Sequence, residues 1–162
     1  MPKLVKDNAI VDNDWQLIEE DSAPAAGKKS ILPLNTFLAL AEKNEVDFKQ
    51  HACWLAAADD IEALAPYVKE LQLIVLNFAA FTDGRSFSQA RTLREHLDFT
   101  GELRAVGYFL QDQMFYLSRC GVDAFEVADD ADLDSIMRSL EDFSESYQAA
   151  CDEPQPLYRR RV

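Results

Sequence analysis

The residues best suited to bind or transform a small ligand lie in the stretch FTDGRSFSQARTLRE, residues 81–95. In its turn, DGRS, Ser86 is a typical residue at the start of a helix. The free N–H groups of a helix start and the guanidinium of Arg85 both favour an anion. We therefore predict an oxyanion site here, with Gly84 giving a tight backbone and Asp83 either orienting Arg85 or acting as an acid or base.

A purely structural interpretation of the same turn stays open. Asp-Gly is a common turn sequence, and Ser86 with Gln89 three residues later has the spacing of a capping box. Arg85 would then be solvated, and the loop would only start a helix. The other residues that we assign to the candidate substrate-binding site are Asn77, Arg91 and Arg94.

Other chemistry has less support in the sequence. Asp59 follows an earlier predicted strand and is the alternative acid or base. Cys120 falls at the end of a predicted helix, where the macrodipole disfavours a thiolate, so we interpret it as a structural thiol. His51 and Cys53 lack a second pair of ligands at metal-binding spacing, and neither a glycine-rich nucleotide motif nor a four-cysteine cluster is present, so no metal or cofactor is evident.

Charge and composition exclude some classes of partner. The net charge is −13, which argues against nucleic acid, although residues 81–120 hold five arginines against five acids. No apolar run approaches the ~20 residues that span a bilayer. Three widely spaced cysteines are typical of reduced thiols, so we expect a cytoplasmic protein.

Short apolar runs alternate with helical patterns from residue 52 onward. The strands are predicted at 52–57, 73–78, 103–106 and 124–127, and the helices at 60–71, 86–97, 109–120 and 132–149. This alternation predicts an α/β fold with mostly parallel strands, either half of a βα-barrel or a small open sheet. Ligand sites in such folds lie at the carboxyl ends of the strands.

The chain is divided into three segments by the same patterns. Residues 1–45 are predicted to be an N-terminal extension with a hairpin that turns at residues 12–14, a loop over 22–29 and a short helix over 34–42. Residues 46–150 form the α/β domain, and residues 151–162 an extended tail that ends in Arg159–Arg161. Exposed sheet edges and the long apolar stripe of the last helix predict a homodimer.

Three strings in the chain, FTDGR, GELRAVG and RCGVDAF, occur together with the early segment KDNAIVDNDWQLI. In these strings the chain resembles a bacterial family of unknown function whose members are commonly encoded beside sulfite reductase and often labelled probable oxidoreductases of sulfite reduction. The resemblance implies an accessory protein of sulfate assimilation, with sulfite reductase or a neighbouring enzyme as partner and a sulfur oxyanion as ligand. A half-barrel enzyme that acts on a small anionic substrate, and a structural or regulatory subunit without catalysis, stay open as alternatives.

Overall fold

Strands and helices alternate through the part of the chain that the computed structural model describes, residues 3–7, 9–18, 27–141 and 143–160. The strands are β1 (Lys3–Lys6), β2 (Ala9–Val11), β3 (Gln16–Leu17), β4 (Ser30–Pro33), β5 (His51–Leu55), β6 (Leu73–Phe78), β7 (Glu102–Gly107) and β8 (Ala124–Val127). The helices are α1 (Leu34–Glu42), α2 (Arg85–Glu95), α3 (Gln111–Arg119), α4 (Leu133–Leu140) and α5 (Leu157–Arg160), and a 3-10 turn covers Ile61–Leu64.

All eight strands belong to one sheet, in the order β2-β1-β8-β7-β6-β5-β4-β3. The strands from β3 to β8 are parallel, whereas β1 runs antiparallel to both β8 and β2. The mixed α/β half-barrel and its N-terminal hairpin are thereby confirmed. The longest pairing joins β6 to β7 in parallel, as their apolar patterns predict.

The sheet must curl strongly because its two edge strands are close neighbours in sequence. Only residues 12–15 separate Val11 on one edge from Gln16 on the other, so these two residues lie no more than about 17 Å apart. In a flat sheet, the two edges of eight strands would be about 34 Å apart. The connecting segment therefore crosses the concave side of a half-barrel.

The two faces of the sheet carry different cores. The convex face packs against the helices through residues such as Leu55, Ile74 and Phe78. On the concave face, Trp15 from the crossing segment packs with a smaller apolar group that comprises Ile31, Ala52, Trp54, Leu73, Val75 and Val106. Arg104 is fully buried on this face, where it bonds to Glu102 and to Oδ1 of Asn13 at 2.9 Å.

The sequence predicts that the N-terminal hairpin turns at residues 12–14, and this position is wrong. The antiparallel pair is β1 with β2, and its turn includes Asp7, which has a φ of 51°. Residues 12–15 are instead needed for the crossing, which places β3 beside β4 in parallel. Most of the predicted loop over 22–29 lies outside the described residues.

Two predicted helices are much shorter than their patterns indicate. The helix after β5 is only the 3-10 turn, because Pro66 has no N–H for a bond to Glu62, and the N–H of Ala65 takes that carbonyl instead. The last helix ends at Leu140 rather than at residue 149, and Tyr147 is 68% exposed. The tail, predicted to be extended, contains the short helix α5.

The C-terminal segment, residues 143–160, is held by arginines rather than by a long helix. Arg119 donates to the carbonyl of Gln148 and lies 3.4 Å from Asp152. Arg160 pairs with Glu145 at 3.0 Å. The bonds of Arg119 fasten the segment beside α3, and the Arg160 pair joins two parts of the segment itself. No helix among the described residues is long and apolar enough to cross a membrane.

Candidate functional site

Asp83 and Arg85 form a two-pronged ion pair at the start of α2. Nε of Arg85 lies 3.0 Å from Oδ1 of Asp83, and Nη2 lies 2.7 Å from Oδ2. The backbone N–H of Arg85 also donates to Oδ1 at 3.2 Å. The carboxylate of Asp83 therefore occupies the Nε–Nη2 edge of the guanidinium and a helix-start amide, and both of these groups were expected to receive an oxyanion.

This pairing fixes the protonation state of Asp83. The hydrogen bonds from Arg85 lower the pKa of the Asp83 carboxyl to about 2. The carboxyl is therefore ionised at neutral pH and has no proton to donate. A base with so low a pKa is also weak, because general bases work best when their pKa lies near the working pH.

Ser86 does not cap α2, so the predicted capping box is wrong. The side chain of Ser86 is fully buried, and its hydroxyl donates to the carbonyl of Asn77 at 3.3 Å. Gln89 turns away and donates to the carbonyls of Ala56 at 2.9 Å and Asp59 at 3.3 Å. Ser86 thus fastens α2 to the end of β6, and Gln89 fastens it to the turn after β5, whereas the N-cap position of α2 is Gly84.

Gly84 and Asp59 also have local structural surroundings. Gly84 has a φ of −81°, and a Cβ added there would meet no atom within 4 Å, so the loop does not require glycine. Oδ2 of Asp59 accepts the N–H of Ala56 at 2.7 Å, which closes the turn after β5. The Asp59 carboxylate thereby holds a backbone turn.

Arg91 and Arg94 lie near the other end of α2 from Arg85. Arg94 lies nine positions after Arg85 in the helix, a rise of about 14 Å. Arg94 donates to the carbonyls of Phe99, Gly101 and Gly121 and to the carboxylate of Asp123. Arg91 pairs with Glu95 at 2.8 Å. The predicted arginine cluster is therefore not assembled around the DGRS loop.

An exposed apolar patch lies beside this loop. It consists of Phe81 (52% exposed), Tyr108 (74%), Leu110 (47%) and Tyr116 (55%). Gln113 ties its parts together, since its side chain donates to the carbonyl of Phe81 at 3.1 Å and accepts the N–H of Leu110 at 2.9 Å. These residues come from the carboxyl ends of β6 and β7 and from α3.

The patch rests on a rigid aromatic stack. The ring centroids of Tyr116 and Phe87 are 5.5 Å apart, and Phe87 meets Phe78 at 5.5 Å edge to face. Phe78 is buried at the end of β6. The N–H of Tyr108 donates to the carbonyl of Phe78 at 2.7 Å. Backbone and ring contacts thus hold the patch in place on the sheet, so that binding a partner would cost little conformational entropy.

A comparison with known protein families shows to which family the chain belongs. A family model for bacterial proteins of unknown function, DUF934, matches residues 52–158. The chain belongs to this family. The DUF934 match includes β5 to β8, the DGRS loop and the whole apolar patch. No curated protein and no solved structure matches the chain.

The loops around the patch of this DUF934 protein are acidic. The loops after β5, β6 and β8, with the first turn of α3, carry the carboxylates Asp59, Asp60, Asp83, Asp112, Asp129, Asp130 and Asp132. Among the described residues, two cations at this end of the sheet are Arg85, which is paired with Asp83, and Lys3 at the start of β1 beside Val127. This end therefore repels a free anion.

In residues 3–7, 9–18, 27–141 and 143–160, no group of three or more His, Cys, Asp or Glu side chains is arranged so that it could bind a metal ion. Nδ1 of His51 accepts the N–H of Asp47 at 3.2 Å. Cys53 is fully buried, and this burial raises the pKa of its thiol far above the ordinary value. Both side chains therefore have structural roles.

Sequence reasoning missed the apolar patch of this DUF934 chain, although its location could have been found. Phe81, Tyr108 and Leu110 follow predicted strands at their carboxyl ends, where ligand-binding loops were expected. Periodicity places Tyr116 off the side of the helix that carries the buried Met114 and Leu117, but it does not show that the side with Tyr116 faces solvent. The sequence does not show which of these side chains are exposed to solvent, because that depends on how the helices pack against the sheet.

Proposed function

We propose that this protein is an accessory protein of assimilatory sulfite reduction that acts by docking on another protein through the apolar patch. The observation that carries the proposal is a group of four large exposed side chains on a rigid support within acidic loops. Exposed apolar groups with a polar rim are typical of protein interaction sites. The link to sulfite reduction comes from the resemblance of the FTDGR, GELRAVG and RCGVDAF strings.

The charges around the patch favour a basic partner surface. Carboxylates in the surrounding loops would attract lysine and arginine side chains and speed the encounter, particularly at low salt. A second copy of this chain would instead bring like charges together at the patch. We therefore propose a partner whose contact surface has an apolar centre and a basic rim, and sulfite reductase is the first candidate.

The Asp83–Arg85 pair favours docking over oxyanion binding at the loop. An oxyanion that used the Nε–Nη2 edge of the Arg85 guanidinium would have to displace a carboxylate that already makes two hydrogen bonds to it. The acidic loops add repulsion to that cost. The same pair suits an interface rim, where Asp83 and the half-exposed Arg85 can exchange partners with charged groups of another protein.

Binding to purified sulfite reductase holoenzyme, measured by calorimetry, tests the proposal. Tyr108→Ala should weaken binding about tenfold or more, because a central aromatic anchor contributes ~1.5–3 kcal/mol. Tyr147→Ala is the matched control, since Tyr147 is 68% exposed but lies in the C-terminal segment. Raising the salt concentration should also weaken the complex.

Two results would contradict this proposal. One is the absence of any complex with the holoenzyme at tens of micromolar, and the other is an equal loss of affinity in Tyr108→Ala and Tyr147→Ala. Sedimentation of the protein alone gives its oligomeric state in the same samples. The homodimer expected from the sequence stays a prediction for that measurement.

A further inference from the structure

Cys120 and Cys151 lie side by side although 30 residues separate them in sequence. Cys120 follows the last residue of α3, and Cys151 belongs to the C-terminal segment. The N–H of Cys151 donates to the carbonyl of Arg119 at 3.0 Å. Because that carbonyl belongs to the peptide bond that leads into Cys120, standard bond lengths place the two Cα atoms no more than about 7 Å apart. Disulfides join Cα atoms that are about 4.4–6.8 Å apart.

Both thiols also face the same ion pair on α2. Sγ of Cys151 lies 3.7 Å from Oε1 of Glu95, and the same oxygen accepts from Nε of Arg91 at 2.8 Å. The Arg91 guanidinium is close enough to interact electrostatically with both Cys120 and Cys151. The two side chains therefore point into one region between α2, α3 and the C-terminal segment. The third cysteine, Cys53, is buried within β5.

We propose that Cys120 and Cys151 form a modification site for low-molecular-weight disulfides such as glutathione disulfide, which convert the two thiols into a disulfide bond. Cys151 is the accessible partner, because Cys120 is only 4% exposed. The thiolate of Cys151 attacks one sulfur of the oxidant, and one small thiolate leaves. Cys120 then loses its proton and attacks Sγ of Cys151, which releases the second small thiolate. The protein loses two electrons and two protons, and the oxidant is reduced to two thiols.

The surroundings of the thiols predict a slow reaction at neutral pH. Burial raises the pKa of Cys120, and burial together with the Glu95 carboxylate raises the pKa of Cys151. Since the thiolate is the reacting species, the bond should form faster as the pH rises from 7 to 9. Once formed, it closes a loop over residues 121–150 and fastens the C-terminal segment to α3. Closing a loop of this length should raise the Tm by roughly 5–15 °C.

Peptide mapping after oxidation of the intact protein tests the proposal. The protein is incubated with glutathione disulfide at pH 8.5, its free thiols are alkylated, and it is digested with trypsin without reduction. The three cysteines fall on separate tryptic peptides, 50–69, 120–138 and 139–159. We expect peptide 120–138 to be joined to peptide 139–159, peptide 50–69 to be alkylated, and the Tm to return to its starting value after reduction.

Matched variants separate the proposed pair from unspecific oxidation. Cys53→Ser should form the same linked peptides and show the same rise in Tm. Cys151→Ser changes a half-exposed residue in the C-terminal segment, and it should fold normally and show neither the linked peptides nor the rise. The proposal is overturned if glutathione stays attached to Cys151, if linked peptides contain Cys53, or if all three thiols are alkylated after oxidation of the wild-type protein.

Discussion

Nη2 of Arg94 lies 2.9 Å from Oδ2 of Asp123, and this ion pair joins α2 to the turn that leads into β8. The same guanidinium donates to three backbone carbonyls, and its carbon lies 5.2 Å from the centre of the Phe99 ring. A Cβ on Gly121 would come within 2.4 Å of Cγ of Arg94. Arg94 is therefore a structural centre at the amino ends of β7 and β8, in contact with the backbone on every side.

Arg94→Ala should destabilise the protein by about 3 kcal/mol, because the carbonyls of Phe99, Gly101 and Gly121 lose this donor and the Asp123 carboxylate keeps only the N–H of Leu103. Arg91→Ala is the control on the same helix, and its exposed pair with Glu95 should be worth no more than about 0.5 kcal/mol. Urea unfolding of both variants measures the difference. Equal midpoints for the two would show that the bonds of Arg94 contribute little to the fold.

The Asp83 carboxyl should titrate near pH 2 in the folded protein, which carbon-detected NMR can follow. In Arg85→Gln its pKa should rise toward the ordinary value of about 3.8, because the guanidinium that stabilises the charged form is gone. Since the folded-state pKa is lowered, the pair favours the folded state at pH values above about 4 and loses its effect as the pH falls toward 2.

The same NMR signal also distinguishes docking from oxyanion binding. Sulfite or sulfate that binds Arg85 at pH 7, whether it displaces Asp83 or lies beside it, should shift the carboxyl resonance of Asp83. We expect no such shift at millimolar anion concentrations. A saturable shift that disappears in Arg85→Gln would restore the oxyanion site that the sequence predicts and would count against the rim role of this pair.

The sequence was most informative where one local signal decided the structure. Residues 73–78 form a strand over the predicted range because they are apolar on both faces, and α1 covers the predicted 34–42. β4 was missed, since SILP is short and ends in proline, and its pairing with β5 depends on residues 21 positions away. Residues 143–149 continue an apolar helical period but do not join α4, because Arg119 and Arg160 hold their segment elsewhere.

The candidate site was predictable in its place and not in its chemistry. Loops at the carboxyl ends of β6 and β7 carry the residues that we consider functional, as expected for parallel strands. The sequence does not show that Asp83 pairs with Arg85. The choice between Asp83 and a ligand as the partner of this guanidinium depends on side-chain geometry within one turn. The apolar patch depends on which side of α3 faces solvent, and that is set by the packing of Phe87.

Gly107→Ala should cost about 3 kcal/mol of stability, whereas Gly84→Ala should cost less than about 1 kcal/mol. Gly107 has a φ of 92°, and a Cβ there would lie 2.5 Å from the backbone carbonyl oxygen of Phe78. Gly84 has a negative φ and open space around it. Thermal unfolding of the two variants checks this contrast, and a stable Gly107→Ala protein would mean that β6 and β7 can separate at their ends without cost.

The antiparallel pairing of β1 with β8 has a consequence for how the chain is made. The partners of Lys3–Lys6, Ala124–Val127, are synthesised about 120 residues after them. At about 5–20 residues per second, β1 and β2 wait on the order of ten seconds while β4 to β7 can already pair with their neighbours. During that time, the newest strand presents an open edge to other nascent chains. Trimming or blocking the first dozen residues would make this exposure permanent, so that a lower yield of soluble protein would be the first visible effect.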